Sequence, residues 1–387
     1  MSESIIIMKL YIVAGETSGD FIGGLLIKAI RELVKEGKNV TFHGVGGKNM
    51  SDEGVKSLFP ISYISLMGFF EVLPHIFRLK KLIDKTVEDI LSQNPDVLIT
   101  IDSPGFTYRV ASKVREIAPH IKLVHIVAPS VWAYKPGRAK KYAKIYDHLL
   151  TLLPFEPPYF TACGLRSTCI GHPILEQAFY VGSKGLKQEM NISENVKVIA
   201  VTPGSRLGEI SRHMPIIKQV FDELSSTHTI KVIFVQPDES NVQNILKYLV
   251  GTKFEFGFST DRLKIFAVSD CALAKSGTNT IEIAASGTPM IVGYKLSPIT
   301  FFFLKLMIKI KYASLINIIS NREIIPEYIQ SDFNAENVTQ AISELLSDNK
   351  RSKSQVAESQ RVLESIGFNS DQKPSVTAAK IIVDMIQ

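Results

Sequence analysis

The sequence predicts an α/β protein with two doubly wound parallel-sheet domains. Short apolar runs such as IIIMKLYIVAG and PDVLITID lack the alternation of an exposed sheet, amphipathic helical stretches separate them, and the pattern restarts at VIAVTPGSR. Strands without alternation are typical of parallel sheets that helices cover on both faces. The chain of 387 residues also exceeds the usual size of a single core. We therefore expect two packed domains.

A polar stretch, YVGSKGLKQEMNISENVK, separates the two series of strands. We place the first domain at residues 1–178 and the second at residues 179–360. A C-terminal helical segment follows at residues 361–387, and packing back on the first domain is one option for it. Two open sheets that face each other would place a binding site in the cleft between them.

Composition excludes several classes of function. The net charge of +6, from 44 basic and 38 acidic residues, is modest for a general nucleic-acid binder. The three cysteines form no C-x-x-C pair, and no D-x-D element is present, so we expect neither a metal nor a cofactor. Glu3 precedes the first apolar run and Lys9 interrupts it. We interpret that run as a buried strand instead of a signal peptide, and expect a cytoplasmic protein.

The first strand leads into GETSGD, which contains Glu16 and Asp20 around two glycines. Neither this loop nor GVGGKN completes the G-x-G-x-x-G spacing, which argues against a dinucleotide site. Helix capping would explain Ser18 or Asp20. Glu16 lies earlier in the turn and is the better functional candidate.

Asp102 follows the apolar run DVLITI, directly before Ser103, Pro104 and Gly105. Ligands of parallel sheets gather at the carboxyl ends of strands, so GETSGD, IDSPGF and APSVWAYKPG should share one edge. A carboxylate there is either exposed to solvent by accident or placed for chemistry. We favour a general base, which accelerates a reaction by about a hundred- to ten-thousandfold.

Two loops of the second domain predict a nucleotide-sugar site. In AVTPGSRLGEI, a turn with Ser205, Arg206 and Glu209 joins a strand to a helix and suits a phosphate. In ALAKSGTNTIE, the helix that opens after the strand favours a diphosphate at Ser276, Gly277 and Thr278, and Glu282 could accept hydrogen bonds from ribose hydroxyls. Each loop alone is also compatible with ordinary helix capping, but the pair in one domain favours the ligand site.

Two stretches have the character of membrane-surface helices. In VLPHIFRLKKLIDK a helix would separate an apolar face from a basic one, although a core helix with solvated lysines explains it equally well. In ITFFFLKLMIKIKYASLINII the lysines interrupt the apolar run too often for a spanning helix. There Phe301 to Phe303, beside Lys305 and Lys309, favour contact with lipid or with a lipid-like substrate.

The motifs VAGETSGD, MGFFEVLP, IDSPGF, PSVWAYKPGRAKK, LPFEPPYF, IGHP, PGSRLGEI, SGTNTIE and VGYKLSPITFF follow one another along most of the chain. In this order they resemble the lipid A disaccharide synthase family. The resemblance implies a GT-B fold and an inverting, metal-independent glycosyltransferase. It would transfer 2,3-diacylglucosamine from its UDP derivative to the 6-hydroxyl of 2,3-diacylglucosamine 1-phosphate (lipid X), forming a β(1→6) bond and releasing UDP.

The resemblance also implies roles for individual residues. The catalytic candidates are Asp102 and Glu16. Either could be the general base, and Asp102 is the main candidate. The donor-site candidates are Ser205, Arg206, Ser276, Gly277, Thr278, Glu282 and Asn317. Glu209 is added to them because it lies in the same turn as Ser205 and Arg206. Family members often have a second acidic residue where this chain has Gly105, which argues against an obligatory base at that position.

The tryptophan-containing basic stretch would bind the acceptor, because aromatic rings suit acyl chains and cations suit a phosphate. The acceptor and lipid candidates are Trp132, Tyr134, Lys135, Arg138, Lys141, Phe69, Phe301, Phe302 and Lys305. A solvated helix face is the alternative for the basic cluster. We further expect association with the cytoplasmic surface of the inner membrane, a homodimer as one option, and no nucleic-acid partner. A UDP-sugar epimerase of the same fold and a two-domain solute-binding protein are the rival functions.

Overall fold

The computed structural model describes residues 7–34, 39–64, 76–179, 185–235, 241–298, 300–301 and 310–386. Its contacts divide the chain into two compact units. The first consists of Met1–Glu176 with Asn369–Gln387, and the second of Gln177–Phe368.

The first unit contains a six-stranded parallel sheet in the order β2-β1-β3-β4-β5-β6. Its inner strands are mostly apolar, and all five residues of β3 are buried, as expected for a sheet covered on both faces. The strands are β1 (Ile7–Ala14), β2 (Asn39–Val45), β3 (Val97–Ile101), β4 (Lys122–Ile126), β5 (His148–Thr151) and β6 (Arg166–Cys169).

Helices of the first unit follow the strands in alternation. They are α1 (Thr17–Leu33), α2 (Lys48–Asp52), α3 (Ile76–Gln93), α4 (Thr107–Ile117), α5 (Arg138–Ala143), α6 (Pro157–Thr161) and the C-terminal α15 (Pro374–Asp384), with short 3₁₀ turns at Ile61–Tyr63 and Pro173–Glu176. Helix α15 packs against α1, so the last helix of the chain belongs to the first unit. The amide and hydroxyl of Ser375 donate to Glu176, which fixes the start of α15.

The second unit repeats the arrangement with the strand order β12-β11-β10-β7-β8-β9, again all parallel. Its strands are β7 (Lys197–Val201), β8 (Ile230–Val235), β9 (Glu255–Ser259), β10 (Cys271–Ala274), β11 (Met290–Tyr294) and β12 (Glu327–Ile329). Its helices are α7 (Leu186–Glu189), α8 (Leu207–Leu224), α9 (Val242–Leu246), α10 (Arg262–Val268), α11 (Asn279–Ala285), α12 (Leu315–Ser320), α13 (Ala335–Ser347) and α14 (Asn349–Glu364). The predicted doubly wound parallel sheets are confirmed.

The direction in which the chain adds strands reverses once in each sheet. Strand β1 pairs with β2 on one side and β3 on the other, and β7 pairs with β8 and β10 in the same way. The loops after the two central strands therefore diverge, which opens a crevice at the carboxyl edge. In the first unit these loops contain Glu16 and Asp102, and in the second they contain Arg206 and Ser276.

Asp20 joins α1 to the following loop. Its carboxylate is 1% exposed and accepts hydrogen bonds from the backbone N–H groups of Gly47 (2.6 Å), Asn49 (2.9 Å) and Met50 (3.1 Å), and from the Asn49 side-chain amide. Asp20 thus caps the start of α2, not the start of its own helix. The N-cap of α1 is Glu16, whose side chain makes no capping bond.

We expect Asp20→Ala to lower the free energy of unfolding by about 3 kcal/mol, because several buried N–H groups would lose a charged acceptor. The measurement is the urea midpoint followed by circular dichroism. Asp52→Ala is the control, since Asp52 is exposed and pairs only with the exposed Lys48 among the contacts described; it should change stability by less than about 0.5 kcal/mol. Equal midpoints for the two variants would contradict the capping role.

Candidate active site

Asp102 lies immediately after β3, where the order of the first sheet reverses. Its backbone N–H still donates to Ile126 of β4, at 3.0 Å, but its φ is +51° and that of Ser103 is +49°. Two consecutive left-handed residues that are not glycine are uncommon and strained, and such strain concentrates at functional sites. The Thr107 hydroxyl holds the turn by donating to the Asp102 carbonyl at 2.6 Å.

The half-buried Asp102 carboxylate accepts one hydrogen bond within the described structure, from the Ser103 N–H at 2.7 Å. Burial raises the pKa of this carboxyl above its ordinary value, although the Ser103 bond opposes the shift. A carboxylate with a raised pKa binds a proton more readily than an exposed one, which suits a general base.

Gly15 brings the first loop against the Asp102 turn. A Cβ atom at position 15 would lie 2.0 Å from the Cβ of Ser103, so no side chain fits there. Glu16 follows, half-buried at the start of α1, and its carbonyl accepts from the Asp20 N–H at 2.9 Å. The predicted catalytic candidates Glu16 and Asp102 therefore belong to loops in direct contact.

Tyr142 is a neighbour of Asp102 that the sequence did not single out. Burial raises the pKa of its hydroxyl, the Arg138 charge lowers it and the Asp102 charge raises it, which places both charges nearby. Within the described part of the chain the hydroxyl has no hydrogen-bond partner, although it is buried. The ring packs 5.2 Å from His125. Burial lowers the pKa of His125 to about 3, so this histidine is neutral at physiological pH.

The loop between β4 and α5 contains most of the predicted acceptor residues. Tyr134 has the Lys135 ammonium 4.8 Å and the Arg138 guanidinium 5.7 Å from its ring centroid, so these three side chains form a cationic aromatic cluster. Lys141 is exposed on α5, about one turn beyond Arg138. Trp132 is half-buried and donates through its indole N–H to Glu156, at 3.1 Å.

In the second unit, Glu209 organises the two predicted donor loops. Its carboxylate is 3% exposed and accepts from the Ser205 N–H (3.1 Å), from Lys275 at both oxygens (3.1 and 3.2 Å), from Tyr294 (3.1 Å) and from Arg206 (3.4 Å). Burial alone would raise the pKa of Glu209, but Lys275 and Arg206 hold it below its ordinary value. Glu209 therefore positions the side chains of Arg206 and Lys275. The sequence predicts instead that Glu209 itself binds the sugar donor.

Thr202 connects the same loops. Its hydroxyl accepts from the Lys275 N–H at 2.9 Å and from the Asn279 amide at 2.7 Å. The neighbouring turn requires Gly204, because its φ is +124° and a Cβ would lie 2.7 Å from Glu209. Among the predicted donor residues, Ser205, Arg206 and Thr278 are exposed and Ser276 and Gly277 are half-buried. The Ser276 hydroxyl donates to the Ala313 carbonyl at 2.7 Å.

Glu282 is 4% exposed on α11 and already has protein partners. Its Oε1 accepts from the Arg262 Nε at 2.5 Å and from the Gln177 amide at 3.5 Å, and Arg262 also binds the Gln177 oxygen at 2.9 Å. Burial raises the pKa of Glu282, and Arg262 opposes this shift. A ribose contact would use the remaining oxygen of this carboxylate.

Asn317 is fully buried, and its side-chain amide holds the segment before β12. The oxygen accepts from the N–H groups of Ile324 (2.8 Å) and Ile325 (3.0 Å), and the nitrogen donates to the Ile325 carbonyl (2.7 Å) and to Glu327 (2.8 Å). These four bonds use the full hydrogen-bonding capacity of an amide side chain. In this structure Asn317 stabilises the segment before β12. Its amide has no unused hydrogen-bonding atom with which to bind a donor sugar, the role that the resemblance implies.

The structure describes only some of the residues that we predict to contact lipid. Phe69, Phe302 and Lys305 lie outside the described residues, and Phe301 is half-buried with its N–H bonded to the Ser297 carbonyl. Leu79 and Ile83 of α3 pack in the core of the first unit, which favours the core-helix interpretation of that stretch. Among the residues that the structure describes, no helix combines the length and apolar character needed to span a bilayer.

The described residues contain no group of three or more side chains suited to hold a metal ion. Sequence reasoning missed Lys275, Tyr142 and Glu156, which all contact or neighbour predicted site residues. A signal was present for Lys275, because it directly precedes Ser276 in AKSGT.

Solved structures share this fold at low identity. The UDP-GlcNAc 2-epimerase from Neisseria meningitidis, solved with UDP-GlcNAc bound, has a TM-score of 0.63 and 12% identity, covering 98% of this chain and 99% of that chain. The glycotransferase of kitacinnamycin has a TM-score of 0.62 and 14% identity, covering 98% and 99%. They confirm the predicted GT-B fold class with two Rossmann-like domains. Identities this low show the fold alone.

A much nearer relative is the lipid-A-disaccharide synthase of Rickettsia felis, which is 55% identical over 376 residues, 97% of this chain and 95% of the relative. The family model for lipid-A-disaccharide synthetase matches residues 10–381. The resemblance that the motifs predicted is thereby confirmed. The chain belongs to the lipid-A-disaccharide synthetase family.

Proposed function

We propose that this glycosyltransferase transfers 2,3-diacylglucosamine from UDP-2,3-diacylglucosamine to the 6-hydroxyl of lipid X, with inversion and without a metal. The observation that carries the proposal is the position of Asp102, a carboxylate of raised pKa in a strained turn where the strand order of the first sheet reverses. Membership of the lipid-A-disaccharide synthetase family supports the choice of substrates.

In the proposed reaction Asp102 accepts the proton of the acceptor 6-hydroxyl as the oxygen attacks the anomeric carbon. The bond from that carbon to the UDP oxygen breaks at the same time, so a single displacement inverts the configuration and needs no covalent intermediate. Glu16 lies in the adjoining loop and is proposed to orient the acceptor.

Negative charge develops on the departing diphosphate, and the donor loops supply cations to stabilise it. Arg206 is exposed at the start of α8, and Lys275 is held half-buried by Glu209. We propose that these two side chains bind the diphosphate, together with the backbone N–H groups around Gly277. Glu282 is proposed to bind the ribose with the oxygen that Arg262 leaves available.

The first unit is proposed to bind the acceptor and the second the donor. The cluster of Tyr134, Lys135 and Arg138 provides both an aromatic ring and cations, which match the acyl chains and phosphate of lipid X. Association with the cytoplasmic surface of the inner membrane and formation of a homodimer stay predictions from the resemblance.

We expect Asp102→Asn to lower the single-turnover rate of disaccharide formation by about a hundred- to ten-thousandfold, because a general base is lost. Asparagine is the suitable replacement, since it tolerates positive φ better than alanine. The assay contains both lipid substrates in detergent with EDTA, which also tests metal independence. Asp371→Asn, an exposed position in the same unit, is the control. An unchanged rate would remove Asp102 as base, and epimerised UDP-sugar without disaccharide would contradict the proposed function.

The pH dependence of kcat, at saturating acceptor, provides a separate test. Asp102 must be ionised to accept a proton, so kcat should fall as the pH drops through a pKa above the ordinary aspartate value of about 3.9. This acidic limb should be absent from the residual activity of Asp102→Asn.

The same shift affects stability. Because the pKa of Asp102 is raised in the folded state, the folded protein loses stability relative to the unfolded chain as the pH rises through that pKa. Asp102→Asn removes this loss, so the variant should have a higher Tm than the unmodified protein at neutral pH. A lower Tm would indicate a structural role for the charge.

Arg206→Gln should raise the KM for UDP-2,3-diacylglucosamine by about tenfold or more, because a charge-assisted hydrogen bond contributes about 1.5–3 kcal/mol. The acceptor KM should stay within about twofold of the unmodified value, a change below 0.5 kcal/mol. Initial rates with each substrate varied in turn make the measurement, and Arg361→Gln is the exposed control. An unchanged donor KM would refute the diphosphate assignment.

A further inference from the structure

Glu156 is a buried carboxylate that the proposed reaction does not use. It is 4% exposed, directly before α6, and its Oε2 accepts from the backbone N–H groups of Leu152 (3.2 Å) and Leu153 (3.0 Å). Its Oε1 accepts from the Trp132 indole at 3.1 Å. All of these donors are neutral. Within the described residues this buried carboxylate has no bonded cation, so its burial is costly, and a positioning role accounts for it better than a gain in stability.

Trp132 connects Glu156 to the loop between β4 and α5. The indole N–H bonds Glu156, and the ring packs edge-on against Phe155 with centroids 5.3 Å apart. These contacts tie the middle of the loop to the segment that follows β5. No other indole exists in the chain, because Trp132 is its single tryptophan.

The loop needs such an anchor because its backbone is strained. Val127 has a φ of +76° and Lys135 a φ of +52°, and a β-branched residue in this region is a marked outlier. The Val127 N–H donates to the Leu150 carbonyl of β5 at 3.1 Å, which holds the start of the loop. Strained residues persist only where the surrounding structure over-determines them. Beyond Val127, the N–H groups of Ala133 and Tyr134 donate to the Ser130 carbonyl within the loop, and the bond between Trp132 and Glu156 connects the loop to the segment after β5.

We propose that Glu156 is a positioning residue for the acceptor, fixing the loop through Trp132 so that Tyr134, Lys135 and Arg138 keep one arrangement. The inference rests on the proposed function, in which this cluster binds lipid X. Glu156 itself touches no substrate in this scheme. Its effect on the reaction passes entirely through the position of the loop.

The strength of this anchor depends on pH. Burial raises the pKa of Glu156 to about 7, against the opposing effects of its bonds from Leu153, Trp132 and Leu152. Among the described side chains, Cys169 at the end of β6 interacts with this charge, because burial and also Glu156 raise the pKa of its thiol. An ionised carboxylate accepts a stronger hydrogen bond than a neutral carboxyl. The anchor is therefore tight above this pKa and weaker below it.

The fluorescence of Trp132 tests the contact without any substrate. We expect its emission, excited where tyrosine does not absorb, to change through one transition near pH 7 in the unmodified protein. Glu156→Gln should abolish that transition, and Glu116→Gln, at an exposed position of α4, should retain it. A transition that persists in Glu156→Gln would overturn the proposal.

Kinetics test whether the contact serves the acceptor. Glu156→Gln and Trp132→Phe should each raise the acceptor KM by about tenfold, the change expected for loss of one charge-assisted hydrogen bond. Their kcat and donor KM should stay unchanged, and the double variant should be no worse than either single one. A loss confined to kcat, or fully additive effects, would overturn the proposal. Should Glu156→Gln fold poorly, Glu156→Asp replaces it, with the same split of KM from kcat as the readout.

The two proposals fail in different ways. Absence of disaccharide synthesis would refute the proposed function while leaving the fluorescence transition intact. Normal synthesis with an unshifted acceptor KM in both single variants would refute only the positioning role.

Discussion

Parallel pairing of one central strand on both sides is the constraint on which each unit depends. Strand β1 lies between β2 and β3, and β7 lies between β8 and β10. The chain runs from β1 to one side of the sheet and from its neighbour β3 to the other side, and β7 and β10 do the same in the second sheet. The loops after these neighbouring strands therefore diverge at one edge and leave room for a ligand. The Asp102 turn and the Arg206 turn both occupy such an edge. The location of the candidate site in each unit thus follows from the order of its strands.

Glu209, Glu156 and Asp102 show how the charge of the hydrogen-bond partners determines the pKa of a carboxyl that is removed from solvent. Glu209 is buried among Lys275, Arg206 and Tyr294, and its pKa falls below the ordinary value. Glu156 is buried among neutral N–H donors, and its pKa rises to about 7. Asp102 has one described hydrogen bond, and burial raises its pKa as well. Burial favours the neutral form in each case, and only bonded cations reverse it.

The fold class could be predicted from the sequence because apolar runs and helical periodicity are local signals. The same signals placed Asp102, Arg206 and Ser276 after strands, although their roles stay predictions. Glu156 and Trp132 are 24 residues apart, and Glu209 and Lys275 are 66 apart, so their contacts exist only once the sheets have formed. Asn317 shows a second reason why the sequence alone is insufficient. A motif can identify a residue, but only the coordinates show that its amide is fully occupied by protein partners.

The first unit is discontinuous in sequence, since α15 packs on α1 after the entire second unit has been traversed. During synthesis on a ribosome, α1 emerges early, whereas the helix that packs against it emerges only after the whole second unit. The second unit can complete its fold within this interval, because all of its strands lie between. Until α15 has been synthesised, part of the α1 surface in the nascent first unit therefore stays uncovered. Chains truncated before α15 would expose this surface to chaperones and proteases.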